Sequence, residues 1–254
     1  KIFNMNNNDE EQEVNLNNVL LLNPQNDEAI YLLILLKIKL SDYVAKYLLD
    51  NNLKVIYSIT GAGSMHFNDS IGTKKGLTVV YTHHEQAASM AAEGTARITG
   101  RPGVVNVSTG PGGTNALTGV TGAWVDSIPM LVISGQIMRK DRGPKHGLRQ
   151  MGVQEINTIS VVKNLTKYAV TVEDPNTIKY HLDKALHLSM SGKPGPVWIE
   201  LPLDVQSSFI NPKKLKVFTP KKEKKKISTN LFKKSIKLIN AAKKPLIIGG
   251  YGIR

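Results

Sequence analysis

Short apolar runs alternate with helix-like segments from about residue 40 to residue 202, and glycine-containing turns follow several of the runs. Five runs have the length and composition of buried strands, at residues 53–59, 76–82, 103–109, 129–135 and 195–202, and a shorter one covers 168–172. This alternation predicts an α/β fold, an open parallel sheet with helices on both faces. Because ligands of such sheets bind outside the carboxyl ends of the strands, candidate site residues follow the runs directly.

The helix signals fit the same arrangement. Helices are predicted over residues 85–99 and 114–125, and Asp174 followed by Pro175 predicts the start of another. With 254 residues the chain can bury a full core, and a hydrophobic content of 41% excludes global disorder. The absence of cysteine excludes disulfides, Cys-ligated zinc, iron–sulfur clusters and thiol catalysis.

The net charge of +13 is confined to one end of the chain. Residues 1–210 carry 19 Lys and Arg against 19 Asp and Glu, whereas residues 211–254 carry 14 against the single acid Glu223. A lysine run that contains prolines and no recognition motif is typical of a solvated linker, here placed at 209–227. We therefore expect no nucleic-acid partner. The alternative is a nucleic-acid binder, whose affinity would depend steeply on salt.

The two ends of the chain differ from the region between them. Residues 1–36 are Asn-rich and are expected to be irregular, and the apolar run at 30–36 is too short to cross a membrane and poor as a signal peptide. We expect a soluble, cytoplasmic protein. Residues 228–254 predict a helix, a strand at 245–248 and a Gly turn, the start of a second, truncated α/β domain. We therefore expect the sequence to be a piece of a longer protein.

Glu85 stands where a predicted strand gives way to a predicted helix. A carboxylate there favours the first helical turn through the helix dipole, and it also lies at the ligand edge of the sheet. The turn at 60–63 matches a dinucleotide fingerprint only weakly, and the turn at 109–113 has no Lys-Ser/Thr of a nucleotide P-loop. The glycines of the turn at 109–113 suit a tight turn, but they also leave backbone N–H groups open to a ligand. The spacing alone leaves both interpretations open.

The segment THHEQAASMAAEGTARITGRPGVVNVSTGPGGTNALTGVTGAWVDSIPMLVISGQ, at 82–136, resembles the pyrimidine-binding domain of thiamine-diphosphate enzymes. Within that family it is most similar to the large subunit of acetolactate (acetohydroxyacid) synthase. SGKPGPVWIELPLDVQ, at 191–206, resembles the end of the same domain, and KKPLIIGGYGI resembles the start of the family's central domain. The resemblance implies a pyrimidine-binding domain over residues 37–208.

The resemblance implies a function and a set of site residues. Glu85 corresponds to the glutamate that meets N1′ of the cofactor's aminopyrimidine and activates it for decarboxylation and carboligation of a 2-oxo acid such as pyruvate. Gln154 matches a family glutamine near the reacting centre and is the second catalytic candidate, with an ordinary polar loop residue as the alternative. His84 is a weaker candidate, for proton transfer or for contact with the substrate. The other predicted cofactor contacts are Thr60, Gly61, Ala62, Gly63, Thr109, Gly110 and Asn115, although Asn115 could instead satisfy backbone groups at the helix start.

The resemblance also implies partners and further cofactors. Mg²⁺ binds a Gly-Asp-Gly segment in a separate C-terminal domain of the family, and no Gly-Asp-Gly occurs here, so we expect no metal ligand in this chain. Active sites of the family form between subunits, which implies a homodimer or homotetramer through this domain and an isolated chain that is inactive. Lys193 stands where the family commonly has an arginine that contacts flavin, so FAD is a further candidate cofactor.

At three places the sequence departs from the pattern of the family, and these departures leave two alternative functions open. Val153 replaces a phenylalanine of the family, Lys193 replaces the arginine and its planar fork, and the loop at 137–151 is longer than in the synthases. One alternative is a related lyase or decarboxylase that acts on another 2-oxo acid in a sugar or polysaccharide pathway. The other is a split or non-catalytic subunit that binds a partner through the same face.

Overall fold

The computed structural model describes residues 17–27, 36–220 and 228–250. Most of the apolar run at 30–36 and the lysine-rich centre of the expected linker therefore lie outside the described residues. The chain divides into two compact units, Lys1–Phe218 and Thr219–Arg254, so residues 209–218 of the segment predicted as a solvated linker belong to the first unit, where Ile210 and Leu215 are buried. No helix of the described residues has the length and apolar character needed to cross a membrane.

The first unit is built on a six-stranded sheet whose neighbouring strands all run parallel. The strands are β2 Val55–Ser58, β3 Thr78–Tyr81, β4 Gly103–Val107, β5 Met130–Gln136, β6 Tyr168–Thr171 and β7 Pro196–Pro202. Their spatial order is β3-β2-β4-β5-β7-β6. A separate antiparallel pair joins β1 Ile38–Lys39 to β8 Phe209–Ile210. The predicted open parallel sheet is confirmed.

The helices cover both faces of the sheet. They are α1 Leu40–Asp50, α2 Met65–Thr73, α3 Glu85–Thr99, α4 Pro111–Asn115, α5 Leu117–Val125, α6 Thr158–Val162, α7 Ile178–Met190 and α8 Leu203–Gln206. Short 3₁₀ turns lie at Ala62–Ser64, Arg139–Asp141, Gly143–His146, Pro175–Thr177 and Pro212–Lys214. In the second unit α9 spans Thr229–Ala241.

Two apolar cores lie on opposite faces of the sheet. Val104 of β4 packs in the core formed with α1, α2 and α7, whereas its neighbour Val105 packs with α3 and α5 on the other face. This follows from the two-residue period of a strand. The central strands β4, β5 and β7 are buried at every residue, which explains why their sequences are nearly continuous apolar runs.

Three local predictions differ from the structure. Residues 17–22 are helical rather than irregular, because the run VLLL favours a helix. The helix expected from residue 114 begins earlier, at Pro111, whose fixed φ suits a first helical position, and it is interrupted at Ala116. The strand expected at 245–248 is wrong, since those residues pair with no other described segment. Asp174 caps its helix as predicted, accepting from the Asn176 N–H at 3.0 Å.

Candidate functional site

Three adjacent strands bring the predicted site residues to one edge of the sheet, called here the carboxyl edge. The turn Thr60–Gly63 follows β2, the segment ending at Glu85 follows β3, and the turn beginning at Thr109 follows β4. Because β3, β2 and β4 are neighbours and parallel, their following turns lie side by side. The structure therefore groups residues that are up to 55 positions apart in the sequence.

Glu85 is the first residue of α3 and is half-buried. Asn115, at the end of α4, donates from Nδ2 to Glu85 Oε2 at 3.0 Å. The other oxygen, Oε1, accepts no hydrogen bond from the described residues and faces Gly112, where an added Cβ would lie 3.4 Å away. The carboxylate is thus oriented from one side by an amide, and its second oxygen stays available for a ligand.

The turns after β2 and β4 interlock. The Gly63 N–H donates to Ser108 Oγ at 3.2 Å. An added Cβ at Gly61 would lie 2.4 Å from that Ser108 hydroxyl, and one at Gly63 would lie 1.8 Å from Thr109 Oγ1. Thr109 is 3% exposed, and its hydroxyl has no hydrogen-bond partner among the described residues. The two turns form a tightly packed floor for the site, with Thr60 and Ala62 exposed on its surface.

The loop after β5, residues 137–157, reaches the same turn. Gly110 has φ 57° and ψ −114°, and an added Cβ there would lie 1.9 Å from the backbone oxygen of Gln154. Gln154 also has a positive φ of 59°, and its side chain is exposed. The structure therefore brings Gln154 next to the glycine turn through its backbone, and its predicted catalytic role remains a prediction.

His84 and Lys193 occupy other positions. His84 caps α3, because its Nδ1 accepts from the Gln86 N–H at 3.1 Å. Lys193 precedes β7, at the opposite, amino edge of the sheet, where it is exposed. It lines a cavity of about 300 Å³ with Trp124, Val125, Lys167 and Pro194. The structure does not place Lys193 with Glu85, and its proposed flavin contact remains a prediction.

Gln206 supports the site but was not singled out from the sequence. It is fully buried, donates from Nε2 to the carbonyls of Gly63 and Leu201 at 2.7 Å each, and accepts from the Phe67 N–H at 3.2 Å. Gly135 of β5 packs against the same carbonyl, which an added Cβ would approach to 2.0 Å. These contacts hold the Thr60–Gly63 turn, and only the resemblance of residues 191–206 pointed to this segment.

No three His, Cys, Asp or Glu side chains come together as a metal site in the part of the chain that the structure describes. The part of the carboxyl edge around Glu85 offers a half-buried carboxylate, the Asn115 amide and a set of closely packed backbone groups. Such a set can hold and polarise a heterocyclic base through hydrogen bonds. It can also exchange a proton at a carboxyl oxygen.

Comparison with known proteins identifies the class of this domain. Residues 38–161 match the family described as thiamine pyrophosphate enzyme, N-terminal TPP binding domain. Residues 38–161 are therefore similar to the N-terminal domain of thiamine pyrophosphate enzymes, and the resemblance found in the sequence is confirmed. Thiamine pyrophosphate is the same compound as thiamine diphosphate.

Similar proteins include several acetolactate synthases. The large subunit from Buchnera aphidicola subsp. Schizaphis graminum is 34% identical over 218 residues, covering 84% of this chain and 37% of that protein. Isozyme 3 from Escherichia coli K12 is 33% identical over 219 residues, with the same shares. The mitochondrial catalytic subunit from Saccharomyces cerevisiae is 32% identical over 211 residues, covering 80% and 30%. The chain thus spans about a third of the length of these relatives.

Proposed function

We propose that this chain supplies the pyrimidine side of a thiamine-diphosphate site in an enzyme that decarboxylates a 2-oxo acid and ligates the product to a second carbonyl compound. One observation carries the proposal. Glu85, oriented by Asn115 at 3.0 Å, stands beside the glycine turn at the carboxyl edge of a domain that matches the TPP-binding family. The names of the acetolactate synthase relatives support this chemistry, with pyruvate as the proposed substrate.

The residues present fit the cofactor's aminopyrimidine. The ring offers nitrogen atoms that require both donors and acceptors, and Glu85 Oε1 is free to interact with one of them. The close contacts of Gly61 and Gly63 with Ser108 and Thr109 leave no room for a side chain at either glycine, so the two turns pack closely in the floor of the site. The unpartnered Thr109 hydroxyl lies in this same floor.

Glu85 is the residue that acts on the cofactor in this proposal. When bound, thiamine diphosphate supplies a nucleophilic carbon and stabilises the carbanion that decarboxylation leaves. The Glu85 carboxyl holds or shares a proton at the pyrimidine nitrogen, which is the general acid–base part of the reaction. Asn115 is a positioning residue, since its amide fixes one carboxyl oxygen and aims the other at the site.

The remaining parts of the enzyme belong to the same proposal. Mg²⁺ and the cofactor's diphosphate would bind in a separate C-terminal domain, as the resemblance implies. Further copies of the chain would complete a homodimer or homotetramer. FAD, with Lys193 as a contact, is the additional cofactor that the resemblance to acetolactate synthases suggests.

A product assay of the whole protein tests the proposal. Incubation with pyruvate, thiamine diphosphate and Mg²⁺ should release CO₂ and form acetolactate, and omission of thiamine diphosphate should abolish both. The longer loop and Val153 favour a second candidate, a related enzyme with another 2-oxo acid, so a panel of 2-oxo acids belongs in the same assay. Failure of every acid to give cofactor-dependent CO₂ would refute the proposed function.

A further inference from the structure

A second cavity lies at the carboxyl edge, beneath the loop 137–157. Its volume is about 460 Å³. One side is formed by strand residues Gln136, Thr171 and Glu200, and the loop contributes three cations, Arg142, Lys145 and Arg149. The strands involved are β5, β6 and β7, whereas the Glu85 site follows β3, β2 and β4. Nothing in the proposed chemistry at Glu85 uses these three cations.

One edge of the Arg142 guanidinium group makes no hydrogen bond with the described residues. Its Nη1 donates to the Glu173 carboxylate. Its Nε and Nη2 are buried and have no hydrogen-bond partner among the described residues, and the side chain is only 16% exposed. The N–H groups of Nε and Nη2 point in the same direction and match the two oxygens of a carboxylate or phosphate. Burying such donors without an acceptor is costly, so the arrangement indicates a missing oxyanion.

The two glutamates of the cavity wall do not fill this role, because their oxygens already have partners. Glu155 accepts from the backbone N–H groups of Gly143, Met151 and Gly152 at 2.9–3.1 Å. Glu200 accepts from Gln136 Nε2 at 3.1 Å and from Thr171 Oγ1 at 2.7 Å. Neither carboxylate hydrogen-bonds Arg142. The guanidinium edge therefore has no acceptor among the described residues.

The cavity lining carries more cations than carboxylates. It contains Arg142, Lys145 and Arg149 with Glu155 and Glu200, while Glu173, which pairs with Arg142, is not part of the lining. Burial raises the pKa of the Glu200 carboxyl above its ordinary value of 4.5. Hydrogen bonds from Thr171 and Gln136 and the charge of Arg142 oppose this shift without cancelling it. Lys145 and Arg149 are exposed and can attract an anion from solvent.

We propose that this cavity binds a small organic or inorganic anion through a carboxylate or phosphate group, with the Nε–Nη2 edge of Arg142 as the anchor and Lys145 and Arg149 as the surrounding cations. The proposal concerns binding alone. It stands whether or not Glu85 activates thiamine diphosphate, because none of its contacts includes the Glu85 site.

Direct titration of the full 254-residue chain tests this inference. Isothermal titration calorimetry at low ionic strength is performed with inorganic phosphate and, separately, with pyruvate. We expect saturable binding of at least one probe, weakened at least tenfold by Arg142→Gln. Arg101→Gln removes the same charge from an exposed arginine whose side chain donates to the Asn51 carbonyl, and it should leave the affinity unchanged. Binding of one probe but not the other identifies phosphate or carboxylate as the preferred group.

Further variants keep the result interpretable. Arg142→Lys retains the charge and loses the planar edge, so it should also bind several-fold more weakly, and it replaces Arg142→Gln if that variant fails to fold. Glu85→Gln should bind the anion like the wild-type chain, which separates this inference from the proposed function. No saturable binding of either probe would overturn the inference, as would equal affinities of the wild-type chain and the Arg142 variants.

Discussion

Replacement of Gly110 by alanine probes the contact between the glycine turn and the loop 137–157. Gly110 has φ 57° and ψ −114°, a conformation that side chains disfavour. An alanine Cβ would also lie 1.9 Å from the backbone oxygen of Gln154. The substitution therefore combines backbone strain with a steric overlap, and the overlap involves backbone rather than a flexible side chain. Both effects destabilise the folded state.

The structure allows the two effects to be sized separately. Strain at such a residue costs about 1–3 kcal/mol, and overpacking adds about 1–3 kcal/mol. Gly100→Ala is the matched control. Gly100 also has a positive φ, 67°, but no atom lies within 4 Å of its added Cβ. The control should lose only about 1–2 kcal/mol. Both variants change the entropy of the unfolded chain alike, so that contribution cancels in the comparison.

Urea unfolding followed by tryptophan fluorescence measures the difference. Trp124 and Trp198 both lie in the unit Lys1–Phe218, so the signal reports on this unit alone. We expect Gly110→Ala to lower the free energy of unfolding by about 1–4 kcal/mol more than Gly100→Ala does. Equal losses in the two variants would refute the packing of Gly110 against Gln154.

Three further predictions concern residues that hold the site. Gln206→Met should lower the free energy of unfolding by roughly 2–5 kcal/mol in the same urea assay, because Gly63, Leu201 and Phe67 lose a buried partner. Asn115→Leu in the whole protein should lower kcat on the order of 10-fold to 100-fold, since Glu85 loses its orientation. An unchanged kcat would remove Asn115 from the site. Glu155→Gln should cost about 1–3 kcal/mol near neutral pH. Burial alone would raise the pKa of Glu155, but backbone N–H groups of the loop hold it below its ordinary 4.5. The wild-type advantage over Glu155→Gln, from urea unfolding at several pH values, should therefore be complete above pH 4.5 and disappear as the pH falls through the lower folded-state pKa. An advantage that grows on acidification would contradict this sign.

Local patterns were sufficient to predict the sheet and the start of α3. The apolar runs of β4, β5 and β7 are buried at every residue, so their composition reveals them directly. Glu85 begins α3 where the strand signal ends and the alanine-rich stretch starts. The parallel arrangement then places Glu85, Thr60 and Thr109 at one edge, because successive strand–helix units leave their turns on the same side.

Contacts between distant segments could not be predicted in this way. Gln206 and Gly63 are 143 residues apart, and no periodicity links a buried amide to the carbonyl that it supports. The pairing of Arg142 with Glu173 depends on how a long loop folds over β6. This pairing uses Nη1 and leaves Nε and Nη2 without an acceptor among the described residues. The strand expected at 245–248 has a suitable composition, but a strand forms only with a partner.

The most direct test of the central proposal is CO₂ release from pyruvate by the whole protein in which Glu85 is replaced by glutamine. Glu93→Gln, on the same helix, is the control, since the Glu93 carboxylate pairs with Arg97 and is not part of the candidate site. We predict a loss on the order of 100-fold or more for Glu85→Gln at saturating thiamine diphosphate and Mg²⁺. The control should stay within about a factor of two, and both variants should unfold at similar urea concentrations. Near-wild-type turnover of Glu85→Gln would contradict the assignment of Glu85 as the residue that activates the cofactor.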